Sequence, residues 1–456
     1  MSPVVSVCVP AFNAAPFIRE AVESALAQEG PELEVIVFDD ASTDGTLAAL
    51  AGMDDPRLRV LRQLRTVGIS RNRNGCIEAA RGRYLSWLDA DDVLCEGALE
   101  RSVSTLDYLP HVGIVHGAHH VIGDDGRTLP SWPQAYAEDT VENGGDAFEE
   151  LVLGNYVTAS TVVVRRSCYD ELGGYEQSLT RSGEDWEMWM RIARRHDLAY
   201  LTTPLASYRR HDGSATAAAA GTRAAVELDR AVVDVALRQE GRRLRARAYA
   251  ALAAKMLLAG GRSHAFGDRA GAVDATLAAY RLAPKLLGLP SAWALPVAQA
   301  RGDDYGAFRY GRILLASIHD ELAGSRFARN IEKLAIPDPN WEDEIARVAE
   351  LLRRVLPHDA RVAAVDKHDP TLLHLANRRG WHVPDLQVSP SGYPRDGHEA
   401  VAHVEALRRQ GASHFVVPGH AFWWLEHYAE LRRHLEACPS LWADDRCRVY
   451  ELAGVA

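Results

Sequence analysis

The chain has 456 residues, a formal net charge of -11, 47% hydrophobic and 25% charged residues, a globular composition long enough for two or three domains. The acidic balance excludes a surface built for nucleic acid, which needs clustered cations, and no apolar run approaches the roughly 20 residues of a membrane span. The N-terminal segment MSPVVSVCVPAFN runs into strand-like sequence without the basic, apolar and cleavage regions of a signal peptide, so a cytoplasmic protein is expected. The six cysteines form no CxxC pair and read as scattered reduced thiols.

In chain order, Val4–Val9 is a short apolar strand. AAPFIREAVESALAQ follows as an amphipathic helix with Phe17, Ala21, Val22, Ala25 and Leu26 on one face. LEVIVFDD is a buried strand ending in acid, and STDGTLAALAGM opens with capping residues and continues as a helix. Leu58–Leu61 is a third strand, SRNRNGCIEAARG a third helix, and Tyr84–Leu88 a further strand. Strand and helix in alternation predict an open parallel sheet covered by helices, with ligands bound beyond the carboxyl ends of the strands. FDD and WLDADD both fall at such ends.

From about residue 216 to 335 alanine, leucine and arginine dominate, and the reading is helical throughout. Ala272, Ala279 and Pro284 have tetratricopeptide-like spacing, but with one partial copy an ordinary helical bundle is the better reading. IPDPNW, Ile336 to Trp341, reads as a linker. Alternation then returns: strands at Arg361–Val365, His414–Gly419 and Cys447–Leu452, and helices at 371–380, 399–411 and 421–438. The expected organisation is an α/β domain over 1–215, helices over 216–335, a linker and helix over 336–354, and a small α/β domain over 355–456.

The chemistry concentrates in WLDADD, where Asp89, Asp91 and Asp92 crowd three carboxylates into four residues. Such a turn is either simply solvated or a seat for a divalent ion, which takes one or two carboxylates and fills its shell with phosphate oxygens and water. The ordered set VSVCVPAFN, FDDASTDGT, SRNRNG, WLDADD, GGYEQ, GEDWEMWMR and YRRHDGSAT resembles the family-2 glycosyltransferases over about residues 3–215. The resemblance implies a GT-A fold, an α/β nucleotide-diphospho-sugar transferase with a Rossmann-like mixed sheet, and an inverting transfer to an acceptor hydroxyl.

The resemblance also implies roles. Pro10, Ala11 and Asn13 would lie in a loop cradling the nucleotide of a UDP- or dTDP-sugar; Phe12 stands where the family often has tyrosine. Asp39 would accept a hydrogen bond from the uracil or thymine ring, and Asp40 would support its loop. Arg71 and Asn74 would lie near the nucleotide, leaving Arg73 solvated. Asp89, with Ala90 beside it, would hold ribose or sugar hydroxyls. Asp91 and His211 would hold Mg or Mn, and Asp92 would orient the loop. Arg209 and Arg210 would help close a segment containing Ser214 and Thr216 over the phosphates. Asp185 would be the general base, which this chemistry needs to take the acceptor's proton; a helix N-terminal acid is the plainer reading of the same residue. Glu184 and Trp186 would contact the acceptor, with core packing the alternative for Trp186.

The last hundred residues look similar to an accessory domain found beside bacterial glycosyltransferases. Trp381, His382, Trp423, Trp424, His427 and Tyr428 suit a carbohydrate platform, core packing, or a docking surface that would include a homodimer contact. The acceptor is open among carbohydrate, lipid-linked glycan, protein and small molecule. Two other functions compete: a sugar nucleotidyltransferase, disfavoured because VPAFNAAPF lacks a glycine-rich basic loop, and a non-catalytic scaffold with a decayed N-terminal site.

Overall fold

The structure, a computed structural model, describes residues 3–129, 136–180, 182–211, 222–238, 240–265, 267–329, 339–366, 370–383, 394 and 396–452. Contacts divide the chain into two compact units: residues 1–220 with 224–252, and residues 221–223 with 253–456.

In the first unit β1 (Val5–Ala11), β2 (Leu33–Asp39), β3 (Leu58–Arg62) and β4 (Tyr84–Trp87) make a parallel block in the order β3-β2-β1-β4. β1 is central, and all seven of its residues are buried, as expected of a strand covered on both faces. The helix α1 (Ile18–Leu26) buries Ile18, Ala21, Val22 and Ala25 against one face; each larger aliphatic side chain contributes about 1.5–3 kcal/mol. α3 (Ile69–Ala79) covers β1 and β2 from the other side. Gly75 permits that approach: a Cβ there would sit 2.8 Å from the Phe38 ring.

Beyond β4 the sheet is mixed, which corrects the purely parallel reading from alternation and agrees with the GT-A expectation. β9 (Val163–Arg165) runs antiparallel to both β4 and β6 (Val112–Ile122). β10 (Asp197–Arg209) is parallel to β6, and its far end pairs antiparallel with β5 (Val93–Leu94), giving β3-β2-β1-β4-β9-β6-β10-β5. The β5 pairing brings the chain just before His211 alongside the segment that follows WLDADD. Two local expectations also change. Pro10 and Ala11 belong to β1 itself, opposite Phe38 and Asp39, so the loop starts at Phe12. Phe17 precedes α1 and is only partly buried.

The second unit carries helices at Arg269–Leu282, Pro290–Arg301, Asp304–Glu321 and Pro339–Val355, and a five-stranded sheet, β12-β11-β13-β15-β14. β11 is Arg361–Val365, β12 Arg379–Val383, β13 His414–Pro418, β14 Ser440–Ala443 and β15 Cys447–Glu451. The helix expected over 371–380 stops at Leu375 and gives way to β12, after Asn377 takes a positive φ of 51°. Of the expected linker, 336–338 lie outside the described residues, and a helix has begun by Pro339. Trp424 and Tyr428 are core residues, 1% and 3% exposed, which removes both rings from any platform; Trp423 stays partly exposed. Among the described residues no helix is long and apolar enough to cross a membrane.

Candidate active site

The carboxyl ends of β1, β2 and β4 converge, as the parallel block requires. Asp39 ends β2 fully buried; its carboxylate accepts from the Ser42 N–H at 3.2 and 3.3 Å and meets Arg62 Nε at 3.2 Å. Asp40 accepts from the N–H groups of Val67 and Gly68 at 2.8 and 3.0 Å, which ties down the loop before α3. Asn13 has a positive φ of 50°, its N–H donates to Ser42 Oγ, and its side-chain oxygen accepts from Thr43 N–H. It therefore fastens the first loop to the loop after β2.

The three aspartates after β4 have different surroundings. Asp92 is 1% exposed and accepts from Ser160 Oγ at 2.5 Å and from Arg209 N–H at 2.7 Å. Burial, then repulsion from Asp91 and Asp89, pushes its carboxyl well above the ordinary range. Ser160 also accepts from the Asp89 N–H at 3.1 Å, so one hydroxyl braces both ends of the turn. Arg209 is likewise inside: Nε donates to the Asp91 carbonyl at 2.8 Å, and the other guanidinium nitrogens reach Gly123 O at 3.0 Å and Glu20 at 2.6 Å. It props the acidic turn from below rather than closing over a ligand, a correction forced by its 2% exposure. Arg210 is exposed, and Ser214 and Thr216 lie outside the described residues.

Asp91 remains turned toward the open side, where His211 Nε2 stands 3.0 Å from its Oδ2. The Phe17 ring packs against the imidazole at 4.8 Å and under the Arg209 guanidinium at 4.9 Å. Burial first, and repulsion from Asp89 second, raise the Asp91 pKa. Among the described residues no three His, Cys, Asp or Glu side chains group as a metal site. The Asp91–His211 pair nevertheless fits a divalent ion that completes its shell with diphosphate and water. Its 3.0 Å donor separation matches the about 3.0 Å between neighbouring ligands of a six-coordinate ion with bonds of about 2.1 Å.

Arg73 is the residue that motif matching misplaces. It is buried, donates through Nη2 to Asp89 at 2.8 Å and through Nε to Glu184 at 2.9 Å, and lies 4.9 Å over Trp87 and 5.8 Å from the Tyr175 ring. Among the described residues its Nη1 is buried without a hydrogen-bond partner. Arg71, expected near the nucleotide, is exposed. The amide of Asn74 is engaged at both ends with the Tyr175 backbone, at 2.7 and 3.0 Å. The helical phase held the signal: Ser70, Arg73 and Cys76 share the buried face of α3.

α7 (Glu184–Ala193) starts from Gly183, whose φ is 81° and whose added Cβ would lie 2.4 Å from Val232 Cγ2. Glu184 is 4% exposed and serves as counter-ion to Arg73, so it does not present itself to an acceptor. Burial carries its pKa up to about 7 even though Arg73 pulls it down. Trp186 is 3% exposed and donates its indole N–H to Leu151 O at 2.7 Å; it is core, and stacking on a sugar is ruled out by burial. Asp185 stays partly exposed. Its Oδ1 accepts from Trp186 N–H at 2.6 Å, and burial raises its pKa against the pull of Arg73.

A family profile described as Glycosyl transferase family 2 matches residues 6–173. An uncharacterized protein of Mycobacterium tuberculosis is 32% identical over 222 residues, 46% of this chain and 67% of that protein. The chain belongs to glycosyl transferase family 2. A succinoglycan biosynthesis protein, ExoO, of Rhizobium meliloti is 41% identical over 133 residues, 29% of this chain and 38% of its own length. A putative teichuronic acid biosynthesis glycosyltransferase, TuaG, of Bacillus subtilis is 29% identical over 212 residues, 45% of this chain and 79% of its own. The crystal structure of S. aureus TarS residues 1–349 in complex with UDP-GlcNAc is 19% identical, with a TM-score of 0.47 over 69% of this chain and 92% of that one. The match to the family profile ends at residue 173, before Asp185 and His211. The roles of those two residues in this glycosyltransferase rest on their geometry and on the motif resemblance.

Proposed function

We propose that the first unit transfers a sugar, with inversion, from a UDP- or dTDP-sugar to an acceptor hydroxyl. What carries the reading is the arrangement of carboxylates around Arg73. Asp89 and Glu184 are bound to it, Asp185 lies within its field, and Asp91 with His211 stands apart on the open side. Asp185 then removes the acceptor proton; burial makes it a stronger base, while Arg73 keeps it ionisable. Asp39, once the exposed Arg62 side chain gives up its carboxylate, selects a base with a ring N–H, and Asp89 holds hydroxyls of the ribose or sugar. Asp91 and His211 would hold Mg or Mn, which supplies positive charge to the diphosphate leaving group. The acceptor is a carbohydrate, lipid-linked glycan, protein or small molecule.

Melting temperature against a panel of nucleoside diphosphates and nucleotide sugars, with and without manganese, tests this, because a ligand of the folded state raises it by mass action. A manganese-dependent rise with uridine or thymidine diphosphates is expected, and its loss in Asp91→Asn. No rise with any nucleotide, or an undiminished manganese-dependent rise in Asp91→Asn, would overturn the donor site or the metal assignment respectively.

A further inference from the structure

The second unit contains a groove that the transfer chemistry does not use. It lies between the Pro339–Val355 helix and the β14–β15 hairpin, with a volume of about 360 Å³, within the size range of small-ligand sites. Arg347 and Arg354 reach it from the helix, and Trp442 and Arg446 from the hairpin. β14 is the outer strand of its sheet and exposed along its whole length. A register shift between Ser440 and Trp442 marks its pairing with β15.

Two of the three guanidiniums, those of Arg347 and Arg354, take part in no ion pair among the described residues, while Arg446 lies in the field of Asp444. Glu350 also lines the groove, three residues from Arg347 and four from Arg354, the spacings at which helical ion pairs form. Yet among the described residues no ion pair joins Glu350 to either arginine. The other acid, Asp444, is spent locally: it accepts from Arg446 N–H at 2.9 Å and Cys447 N–H at 2.8 Å, and these N–H groups with the neighbouring Trp442 and Arg446 side chains hold its pKa down. The Trp442 ring, 40% exposed, gives the groove an apolar wall. An exposed tryptophan on an edge strand therefore shares one groove with two guanidiniums that carry no ion pair among the described residues.

An aromatic plane beside several planar, bidentate cations suits a ligand with a ring face and an anionic substituent. In a chain whose first unit is a glycosyltransferase, we propose that this groove binds an acidic saccharide, one bearing carboxylate or phosphate groups, and so captures the acceptor or product glycan. The glycan identity rests on the transfer reading; the anion-and-ring chemistry does not.

The test is calorimetric titration of the full chain with oligogalacturonate and with a phosphorylated oligomannose, against neutral malto-oligosaccharide and inorganic phosphate. Arg347, Arg354 and Trp442 are all exposed, so the variants keep the fold. At least one acidic oligosaccharide should bind, with affinity falling as salt rises. Arg347→Gln with Arg354→Gln should weaken it tenfold or more, Trp442→Ala should weaken it several-fold, and the neutral oligomer should not bind. Binding equal to wild type in the double arginine variant, no binding by either acidic probe, or inorganic phosphate binding as tightly as the saccharides would overturn the proposal. Asp91→Asn separates the two readings: it should lose manganese-dependent donor binding and retain saccharide binding. Saccharide binding with no nucleotide binding in wild type would sink the transfer reading and leave the groove standing.

Discussion

Replacing Arg73 by methionine deletes a buried cation at similar length and keeps the site packed. Arg73 is 4% exposed at its side chain and holds Asp89 at 2.8 Å and Glu184 at 2.9 Å. Removing one partner of a buried ion pair costs about 3–5 kcal/mol, because the remaining charge is left uncompensated. For a domain of this size that corresponds to a fall of about 6–20 °C in melting temperature. The cost should also depend on pH in a defined direction. The folded pKa of Glu184 is about 7, above its ordinary 4.5. A carboxyl raised on folding holds its proton more tightly in the folded state, so stability falls as pH rises from the unfolded value and levels off past the folded one. In wild type the fall ends near pH 7. Without Arg73 the folded pKa moves higher, so in the variant the fall continues by about 1.4 kcal/mol per pH unit up to the new value. Urea unfolding of both proteins at pH 6, 7, 8 and 9 should show a gap that widens above pH 7. Glu184→Gln in the variant background should abolish the widening. A gap constant with pH, or smaller than about 1 kcal/mol at every pH, would refute the claim that Arg73 compensates a buried Glu184.

Asp185→Asn should lower turnover about a hundredfold or more with donor affinity unchanged; initial rates alongside donor binding check this, and normal turnover removes Asp185 as the base. Glu142 is a second raised carboxyl, carried by burial to about 7 while the Tyr156 hydroxyl donates to it at 3.0 Å. By the same sign it costs stability above pH 7, up to about 3.4 kcal/mol. Glu142→Gln should therefore be more stable than wild type at pH 8 and equal near pH 4.5; a less stable variant at pH 8 would show that the ionised carboxylate is wanted there.

Much of the first unit is legible in sequence because its period is unambiguous. VSVCV and LEVIV are runs only a covered strand tolerates, and the acids that end them mark the carboxyl edge of the sheet. The antiparallel strand β9 is not legible: Val163–Arg165 is three residues long, too short to show a period. In the site, the aspartates at strand ends could be found, but their bracing could not. Ser160 lies 71 residues from Asp89 in sequence, and nothing local marks it. Arg73 was legible by another route. Motif spacing favours Arg71, but the helix that buries Ser70 and Cys76 turns Arg73 inward and Arg71 outward. Trp186 is a parallel case, one of five consecutive buried residues from Trp186 to Met190, a run that already argues for core.

The opening ambiguity of the acidic turn, solvated or built to hold a cation, is narrowed by how its charges are disposed. A solvated turn would point its three carboxylates outward, where water screens them. Here Asp92 is buried on a hydroxyl and a backbone N–H, and Asp89 is drawn sideways by Arg73. Arg209 gives up a guanidinium hydrogen bond to hold the carbonyl of Asp91. Each of these contacts costs desolvation that a surface turn would avoid. Their common effect is to fix the position of Asp91 while leaving its carboxylate with His211 alone among the described residues. With Asp185 and Glu184 added, four carboxylates share one arginine and one imidazole among the described residues. Such an excess is costly until positive charge arrives, and it is this imbalance, more than the Asp-x-Asp pattern, that supports a cation-assisted diphosphate site.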